Sequence, residues 1–373
     1  MATLADRYLL PAVEADLRHR MVFVAGPRQV GKTTLARTLP SGKAGYLNWD
    51  VPADRQRILT QELPVSPLWT FDELHKYRRW RQYLKGLWDG RPDQQQILVT
   101  GSARLDFYRH GGESLQGRYH LLRLHPLSVA ELKLATVDDW RTLRRLGGFP
   151  EPFFSGSERT ARRWSLEHRT LLIRDELTSL ERVDDLGRLE LLALRLPELV
   201  GAPLSLNALR EDLDLSHRAV SRWVSILERL YALFRVPPLA GPRIRALKKA
   251  AKHYHFDWTL PPEPGPAFEN LVAVHLLKWV HFERDVNGRD LDLRYFRDVD
   301  GREVDFVVVE RRQPVLIVET KLGDSALDSN LRYLRGKYPK CPAWQIHAEG
   351  KKDYQTAEGI RVAPAITLLQ TLS

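Results

Sequence analysis

The sequence of 373 residues contains a single cysteine, Cys341. One thiol excludes an internal disulfide framework and a cysteine-based zinc site, and it is typical of a reducing compartment. Apolar runs of membrane-spanning length are also lacking, and no signal peptide precedes the first predicted strand. We therefore expect a globular, cytoplasmic protein that does not bind a membrane.

Acidic residues are in the minority: 57 Lys and Arg residues against 47 Asp and Glu residues give a formal net charge of +10. A basic excess favours a polyanionic partner, such as a nucleic acid. Hydrophobic residues make up 43% of the chain, which is enough for packed cores. Because one core rarely serves more than about 300 residues, the length indicates several domains.

The most informative segment is a glycine loop, residues 26–33, with the pattern G-x-x-x-x-G-K-T. The apolar run Met21–Ala25 before it is typical of a buried parallel strand, and residues 34–39 favour a helix. In this context backbone N–H groups surround a polyphosphate, Lys32 reaches the β- and γ-phosphates, and the Thr33 hydroxyl binds Mg²⁺. The residues predicted to bind nucleotide are Gly26, Pro27, Arg28, Gln29, Val30, Gly31, Lys32, Thr33 and Thr34.

Two acids, Asp72 and Glu73, end a second strand-like run that begins at Leu68. Downstream of a phosphate-binding loop, such an Asp supports Mg²⁺ and such a Glu positions the attacking water. The alternative is an acidic N-cap for the helix that follows. The pair favours hydrolysis over phosphoryl transfer to a small substrate. Because no guanine-reading N-K-x-D run is present, the predicted substrate is ATP with Mg²⁺.

Two further positions are candidates for contact with the γ-phosphate. Residues 96–100 predict a third strand, and Thr100 or Ser102 at its end could sense that phosphate. Arg118 lies in a loop before another apolar strand, where it could reach the γ-phosphate bound by a neighbouring subunit. The alternative for Arg118 is an ordinary surface arginine in a basic chain.

Six motifs together resemble the AAA-type ATPases of bacteria and archaea that carry a C-terminal domain of unknown function. They are GPRQVGKTT at 26–34, FDEL at 71–74, TGSA at 100–103, GR at 117–118, HPLSVAE at 125–131 and GGFPE at 147–151. The resemblance implies an AAA+ core with Lys32, Thr33, Asp72 and Glu73 in the Walker roles. It further implies Ser102 near sensor 1, Arg174 as a candidate sensor 2, and Arg118 as an arginine finger within a homo-oligomeric ring.

The middle of the chain is helix-prone over residues 155–200, which favours a helical lid, and it then predicts a helix-turn-helix. Its second helix has an apolar stripe formed by Val220, Trp223, Val224, Leu227 and Leu230. The predicted DNA contacts are His217, Arg218, Arg222, Lys248 and Lys249, the last two in a basic stretch with Arg243, Arg245 and Lys252. The alternative is a plain helical connector.

The C-terminal region predicts an antiparallel hairpin of residues 301–309 and 315–321, with Val309 opposite Val315. In that register Asp305 lies opposite Glu319, and Lys321 shares the face of Glu319. A hard cation such as Mg²⁺ would relieve the repulsion between the carboxylates. Glu269, Asp305, Glu319 and Lys321 resemble the PD-(D/E)xK set of restriction-endonuclease-like domains. The alternative is an ordinary hairpin in which Lys321 neutralises Glu319.

These patterns predict an α/β protein with an AAA+ P-loop core at 1–138, a helical lid at 139–200, a winged-helix-like module at 201–240 and a restriction-endonuclease-like domain at 241–373. The predicted function is that of an oligomeric DNA-dependent ATPase, a motor or remodeller of duplex or branched DNA. Lys32, Glu73 and Arg118 are its predicted catalytic residues. The alternatives are an ATP-gated metal-dependent DNA nuclease and a nucleotide-switched protein-interaction module.

Overall fold

The computed structural model describes residues 7–101, 105, 115–134, 136–177, 185–239 and 250–372. The chain forms two compact units, Met1–Pro126 and Leu127–Ser373. No helix within these described ranges is long and apolar enough to cross a membrane. Each unit is described separately below.

The first unit contains a five-stranded parallel sheet in the order β2-β3-β4-β1-β5. Its strands are β1 (Met21–Ala25), β2 (Tyr46–Asn48), β3 (Leu68–Asp72), β4 (Gln96–Gly101) and β5 (Tyr119–Arg123). Its helices are α1 (Leu10–Leu17), α2 (Lys32–Thr38), α3 (Pro52–Thr60) and α4 (Trp80–Gly90), with a 3₁₀ turn at Leu74–Lys76.

The sheet is buried in the way that its apolar strands predict. All five residues of β1 are buried, and β4 is buried from its second residue onward. In the parallel register Ala25 lies beside Gly101, and Asp72 lies beside Thr100. The carboxyl ends of β1, β3 and β4 therefore meet at one edge of the sheet, where ligands of open α/β sheets bind.

The second unit begins with a series of helices, most of which lie within the residues predicted as the lid. They are α5 (Val129–Leu132), α6 (Val137–Leu146), α7 (Pro150–Ser155), α8 (Glu158–Leu171) and α9 (Leu186–Arg195), with a π-helical segment at Leu172–Leu177 and a 3₁₀ turn at Leu196–Leu199. Side-chain oxygens of Ser128, Thr136, Ser157 and Asp185 accept backbone N–H bonds at four of these N-termini.

A helix pair and a two-stranded antiparallel sheet follow, the helix pair at the residues predicted as a helix-turn-helix. They are α10 (Leu206–Asp212), α11 (His217–Arg229), β6 (Leu233–Val236) and β7 (Lys252–His255). On α11 the side chains of Val220, Trp223 and Leu227 are buried, as the apolar stripe predicts. The boundary predicted between residues 240 and 241 separates β6 from β7, but the structure pairs these strands with one another.

The C-terminal part contains a six-stranded mixed sheet in the order β12-β13-β11-β10-β9-β8. Its strands are β8 (Leu291–Arg297), β9 (Glu303–Glu310), β10 (Gln313–Lys321), β11 (Ala343–His347), β12 (Tyr354–Gln355) and β13 (Ile360–Pro364). Its helices are α12 (Pro264–Asp285), α13 (Ser329–Lys337) and α14 (Ala365–Leu369). A core of Val304, Val307, Ile317, Leu331 and Leu334 lies between the sheet and α13.

The hairpin of β9 and β10 differs from the prediction at its turn. The connection is only Arg311-Arg312, both at positive φ, rather than a five-residue loop. Val309 lies opposite Pro314, so the predicted Val309–Val315 pairing is wrong by one residue. A bulge between Pro314 and Leu316 absorbs the shift, and Phe306 then pairs with Val318 in the predicted register. The sequence pattern does not show this bulge.

Candidate nucleotide site and carboxylate cluster

The glycine loop leaves the carboxyl end of β1 with two glycines in left-handed conformations. Gly26 has φ 153°, and a Cβ atom there would lie 2.2 Å from the backbone oxygen of Leu124. Gly31 has φ 101° and caps the start of α2. Any other side chain at Gly26 would clash with the backbone, so the loop path requires glycine there.

The Lys32 ammonium lies inside this loop, since only 7% of the residue is exposed. Its Nζ donates to the carbonyl oxygens of Gly26 at 2.9 Å and Pro27 at 2.7 Å. A cation at this position is fixed against the same backbone that is predicted to surround the phosphates. The geometry therefore presents positive charge and loop N–H groups in one place.

The Thr33 hydroxyl and the Asp72 carboxylate meet directly. Thr33 Oγ1 donates to Asp72 Oδ2 at 2.8 Å, and Thr100 Oγ1 donates to Asp72 Oδ1 at 2.7 Å. The Tyr46 hydroxyl also donates to Asp72 Oδ2. Burial is the main cause that raises the pKa of Tyr46, and this hydrogen bond is the second. Hydroxyl and carboxylate oxygens are the ligands that Mg²⁺ prefers, so Thr33 and Asp72 fit the predicted ion.

Glu73 follows Asp72 in a left-handed conformation, with φ 56°. Its N–H donates to the Thr100 carbonyl at 2.9 Å, which fixes the turn against β4. Its carboxylate lies 3.4 Å from Lys76 Nζ and 3.6 Å from His75 Nε2. Strained backbone of this kind is common at functional sites, and here it directs the second acid away from the strand.

Arg118 lies at the opposite end of the strands, the end at which β1 and β5 begin. Tyr119, the next residue, pairs with Met21 at the start of β1, whereas the glycine loop follows Ala25 at its end. A five-residue strand separates the two edges by about 17 Å. Arg118 Nε donates to Asp89 at 3.1 Å. Arg118 therefore does not reach the loop of its own chain. Ser102, the other predicted γ-phosphate contact, lies outside the described residues.

Sequence reasoning missed Arg7. This arginine is only 2% exposed, and its guanidinium donates to the carbonyls of Val30, in the glycine loop, and His125, at 2.6 Å. The neighbouring Tyr8 hydroxyl donates to the Arg123 carbonyl at 2.7 Å. Arg7 thus holds the loop to the end of β5. The signal in the sequence is weak, because the partners lie 23 and 118 residues away.

The basic residues predicted on the second helix of the pair lie on its surface. His217, Arg218 and Arg222 are exposed, and with Arg229 they line a concave surface along α11. Ser221 and Ser225 lie between them. Lys248 and Lys249 lie outside the described residues. Lys252, placed by the sequence analysis in the same basic stretch, is instead buried. Arg174, the candidate sensor 2, is exposed and pairs with Glu190.

The C-terminal acids are brought together as the register requires. The Asp305 N–H donates to Glu319 Oε2 at 3.2 Å, and Lys321 Nζ donates to Glu319 Oε1 at 2.8 Å. Glu269, on α12, is linked to Asp305 through the ammonium of Lys252, which lies 3.0 Å from Glu269 and 3.4 Å from Asp305. The sequence analysis did not foresee this lysine at the centre.

The acids do not fit the predicted metal ion. Within the described ranges, no group of three or more His, Cys, Asp or Glu residues could hold one. The physical reason is that Lys252 stands between Glu269 and Asp305, where a cation would bind. The pKa of Glu269 is raised to about 7 and that of Glu319 to about 8, mainly by burial and secondly by the charge of Asp305. An ammonium thus lies between Glu269 and Asp305, and the second metal site from Glu269, Asp305, Glu319 and Lys321 stays a prediction.

Three families match successive parts of the chain. Residues 18–133 match the family described as AAA domain, and residues 137–260 match Domain of unknown function (DUF8612). Residues 264–368 match Domain of unknown function (DUF4143).

Two curated relatives are uncharacterised proteins of Mycobacterium bovis and Mycobacterium tuberculosis, each 31% identical over 168 residues. The aligned part is 44% of this chain and spans 37% of the length of either relative.

Among solved structures, the chain is similar to a Walker-type ATPase of Pyrococcus abyssi, with 14% identity, a TM-score of 0.41 and coverage of 73% of this chain and 100% of that one. It is similar to RuvB of Thermotoga maritima, with 21% identity, a TM-score of 0.29 and coverage of 61% and 87%. It is also similar to the ORC1 protein of Aeropyrum pernix in complex with DNA, with 18% identity, a TM-score of 0.30 and coverage of 72% and 90%.

The AAA domain match and the glycine loop with its parallel sheet agree with the family inferred from the motifs. The chain thus carries an AAA domain at residues 18–133, followed by two domains of unknown function.

Proposed function

We propose that the protein hydrolyses ATP at the edge formed by the glycine loop, Asp72 and Glu73, and that DNA stimulates this reaction. The contact that carries the proposal is the 2.8 Å hydrogen bond between Thr33 Oγ1 and Asp72 Oδ2. It joins the loop to β3, a strand that is not adjacent to β1 in the sheet. A hydroxyl oxygen and a carboxylate oxygen at this distance can both be ligands of one Mg²⁺ ion.

Each residue then has a defined task. The loop N–H groups and Lys32 bind the phosphates, and Thr33 and Asp72 hold Mg²⁺, which neutralises charge on the phosphate oxygens. Glu73 accepts a proton from the attacking water or orients it. Because Lys76 lies 3.4 Å from the Glu73 carboxylate, that contact must loosen for Glu73 to reach a water.

Arg118 acts at the site of a neighbouring subunit in this proposal. It lies at the sheet edge opposite its own glycine loop, so a γ-phosphate within its reach belongs to another copy of the chain. A guanidinium there would stabilise the charge that develops in the transition state. The proposal therefore includes a homo-oligomer. In a closed ring, every subunit would have a neighbour that supplies Arg118.

DNA is the proposed partner of α11. Its exposed His217, Arg218 and Arg222 form one basic face, while the opposite face is buried in the module. A helix of 13 residues with this distribution suits the major groove and its flanking phosphates. The net charge of +10 adds a nonspecific attraction for polyanions.

An ATPase assay across linear, forked and four-way-junction DNA tests the proposal, with Lys32→Ala as the blank. We expect DNA to raise the rate, and rising salt to remove the stimulation steeply because phosphate contacts release counterions. A rate that none of the three DNA structures changes would contradict the DNA-dependent part. Hydrolysis that survives Lys32→Ala would contradict the site itself.

A further inference from the structure

Among the Lys, Arg, Asp and Glu residues that the structure describes in the second unit, Lys252 is the most deeply buried, with 1% of the residue exposed. Its Nζ lies 2.7 Å from Glu303 Oε1, 3.0 Å from Glu269 Oε1 and 3.4 Å from Asp305 Oδ1. An ammonium has three N–H donors, and each faces a different carboxylate here. Lysine is almost never buried unless it is paired, so this contact set is what permits the burial.

The carboxylates and the lysine come from different parts of the chain. Glu269 lies on α12, and Glu303 and Asp305 lie on β9. Lys252 begins β7, which pairs with β6 of the helix-pair module. The ammonium thus joins the module matched as DUF8612 to the sheet matched as DUF4143.

Other contacts fix β7 to α12 at the same place. The Tyr254 hydroxyl donates to Glu269 Oε1 at 2.6 Å. The side chain of Asn270 accepts from the His255 N–H at 2.8 Å and donates to the His255 carbonyl at 2.6 Å. These contacts fix β7 against α12. The backbone of Lys252 is therefore already in place beside the carboxylates.

We propose that Lys252 is the resident cation of the carboxylate cluster. It replaces a divalent metal, so the cluster serves as a joint between the two modules and not as a metal-dependent cleavage site. As placed around the ammonium, the carboxylate oxygens lie 2.7 to 3.4 Å from Nζ, farther than the about 2.0–2.6 Å of a Mg²⁺ or Ca²⁺ ligand. Without the ammonium the acids repel one another, and a divalent cation that draws their oxygens inward would relieve that repulsion. Removing the lysine side chain's charge should therefore create a metal site in this chain where the wild-type chain has none.

The test compares Lys252→Met with Lys278→Met in the full-length chain. Lys278 is also buried, and it pairs with Glu131 and with the Ser128 hydroxyl. Removing either ammonium leaves buried acid unpaired, and we expect the thermal midpoint to fall by roughly 10 °C in both variants. Millimolar Mn²⁺ should restore most of the loss in Lys252→Met and none in Lys278→Met.

A second measurement does not depend on a stable variant. Mn²⁺ binding is followed by EPR in nucleotide-free protein carrying Thr33→Ala, which removes a predicted ligand of the nucleotide-site ion. With Lys252 present we expect no Mn²⁺ bound at micromolar concentration. One bound ion that Glu319→Gln or Asp305→Asn abolishes would overturn the proposal, as would Mg²⁺-dependent DNA cutting that the same variants remove.

A Lys252→Met variant that folds but ignores Mn²⁺ would also overturn it. Neither lysine has a part in the proposed ATP site, so these outcomes are separate from those of the ATPase assay.

Discussion

Asp72 is surrounded by hydroxyl groups, whereas Glu73 lies beside Lys76 and His75. The two acids are adjacent in sequence, but Asp72 is 5% exposed and receives hydrogen bonds from Thr33, Tyr46 and Thr100. Glu73 turns away at positive φ toward Lys76 and His75. Two adjacent carboxylates thus have different environments, one suited to a metal ion and the other to a proton or a water.

Glu73→Gln separates these two roles. The amide keeps the shape of the side chain and accepts the left-handed backbone no worse than Glu, but it cannot take a proton. We expect kcat to fall about 10²–10⁴-fold while ATP affinity changes little, because the substitution removes only the proton-accepting group. Turnover and binding of a fluorescent ATP analogue measure the two quantities, with Lys32→Ala as the variant that loses binding. A kcat above a tenth of the wild-type value would contradict the role.

Arg7 and Lys252 show what a residue-by-residue prediction from the sequence misses. The P-loop pattern and the acids at the end of β3 are local, so the sequence alone predicts Lys32, Thr33, Asp72 and Glu73 as neighbours. Arg7 instead bonds to carbonyls 23 and 118 residues away. Lys252 meets carboxylates as far away as Asp305. Such contacts depend on tertiary packing, which no short sequence pattern encodes.

At the scale of elements, alternation in β9 and β10 places Asp305 and Glu319 on one face, and the structure agrees. The turn does not follow, because Arg311 and Arg312 adopt positive φ values of 46° and 72° without any glycine. A sequence-based prediction expects Asn-Gly or a similar pair in such a two-residue turn. The bulge at Val315 then corrects the register, so the acids meet although the predicted turn is wrong.

The basic face of α11 yields the second prediction. Replacing Arg218 and Arg222 together with Ala should weaken DNA binding and lower the slope of log affinity against log salt by about 2, one for each lost phosphate contact. Arg163→Ala on α8 is the matched control, since Arg163 is also exposed and lies 3.9 Å from Glu167. Fluorescence anisotropy with labelled duplex at several salt concentrations measures both quantities. An unchanged slope would show that α11 is not the DNA contact.

At the scale of the whole molecule, buried titratable groups of the second unit have opposite effects on how stability depends on pH. Burial lowers the pKa of His253, His255 and His275 to about 4, 3 and 4. These histidines bind protons mainly in the unfolded chain, so stability falls as pH drops below about 6.5. Glu269 and Glu319 have raised pKa values of about 7 and 8 and face Lys252, Tyr254, Lys321, Asp305 and Asp328. They are protonated mainly in the folded chain, so stability falls as pH rises through these values.

The stability of the protein should therefore pass through a maximum near pH 6.5. Between about pH 6.5 and 8 we expect a loss of the order of 1 kcal/mol, because the two glutamates outweigh the remaining titration of the histidines. Chemical denaturation of the full-length chain at half-unit pH intervals measures this curve. Glu319→Gln, which cannot ionise, should flatten the alkaline side and steepen the rise on the acid side, because Glu319 binds its proton mainly in the folded chain from about pH 4.5 to 8. An alkaline side of the same slope in that variant would assign the loss to other groups.

Assembly is the last property at this scale, and Arg118 supplies its test. Arg118→Ala should lose at least about 100-fold in kcat, because the neighbouring γ-phosphate loses its guanidinium. Lys32→Ala is inactive for a different reason, since it keeps Arg118 but lacks the phosphate-binding ammonium. Mixed in equal amounts, the two variants should recover about a quarter of the wild-type rate, the share of interfaces that join an intact loop to an intact Arg118. A mixture no faster than its components would contradict catalysis between subunits.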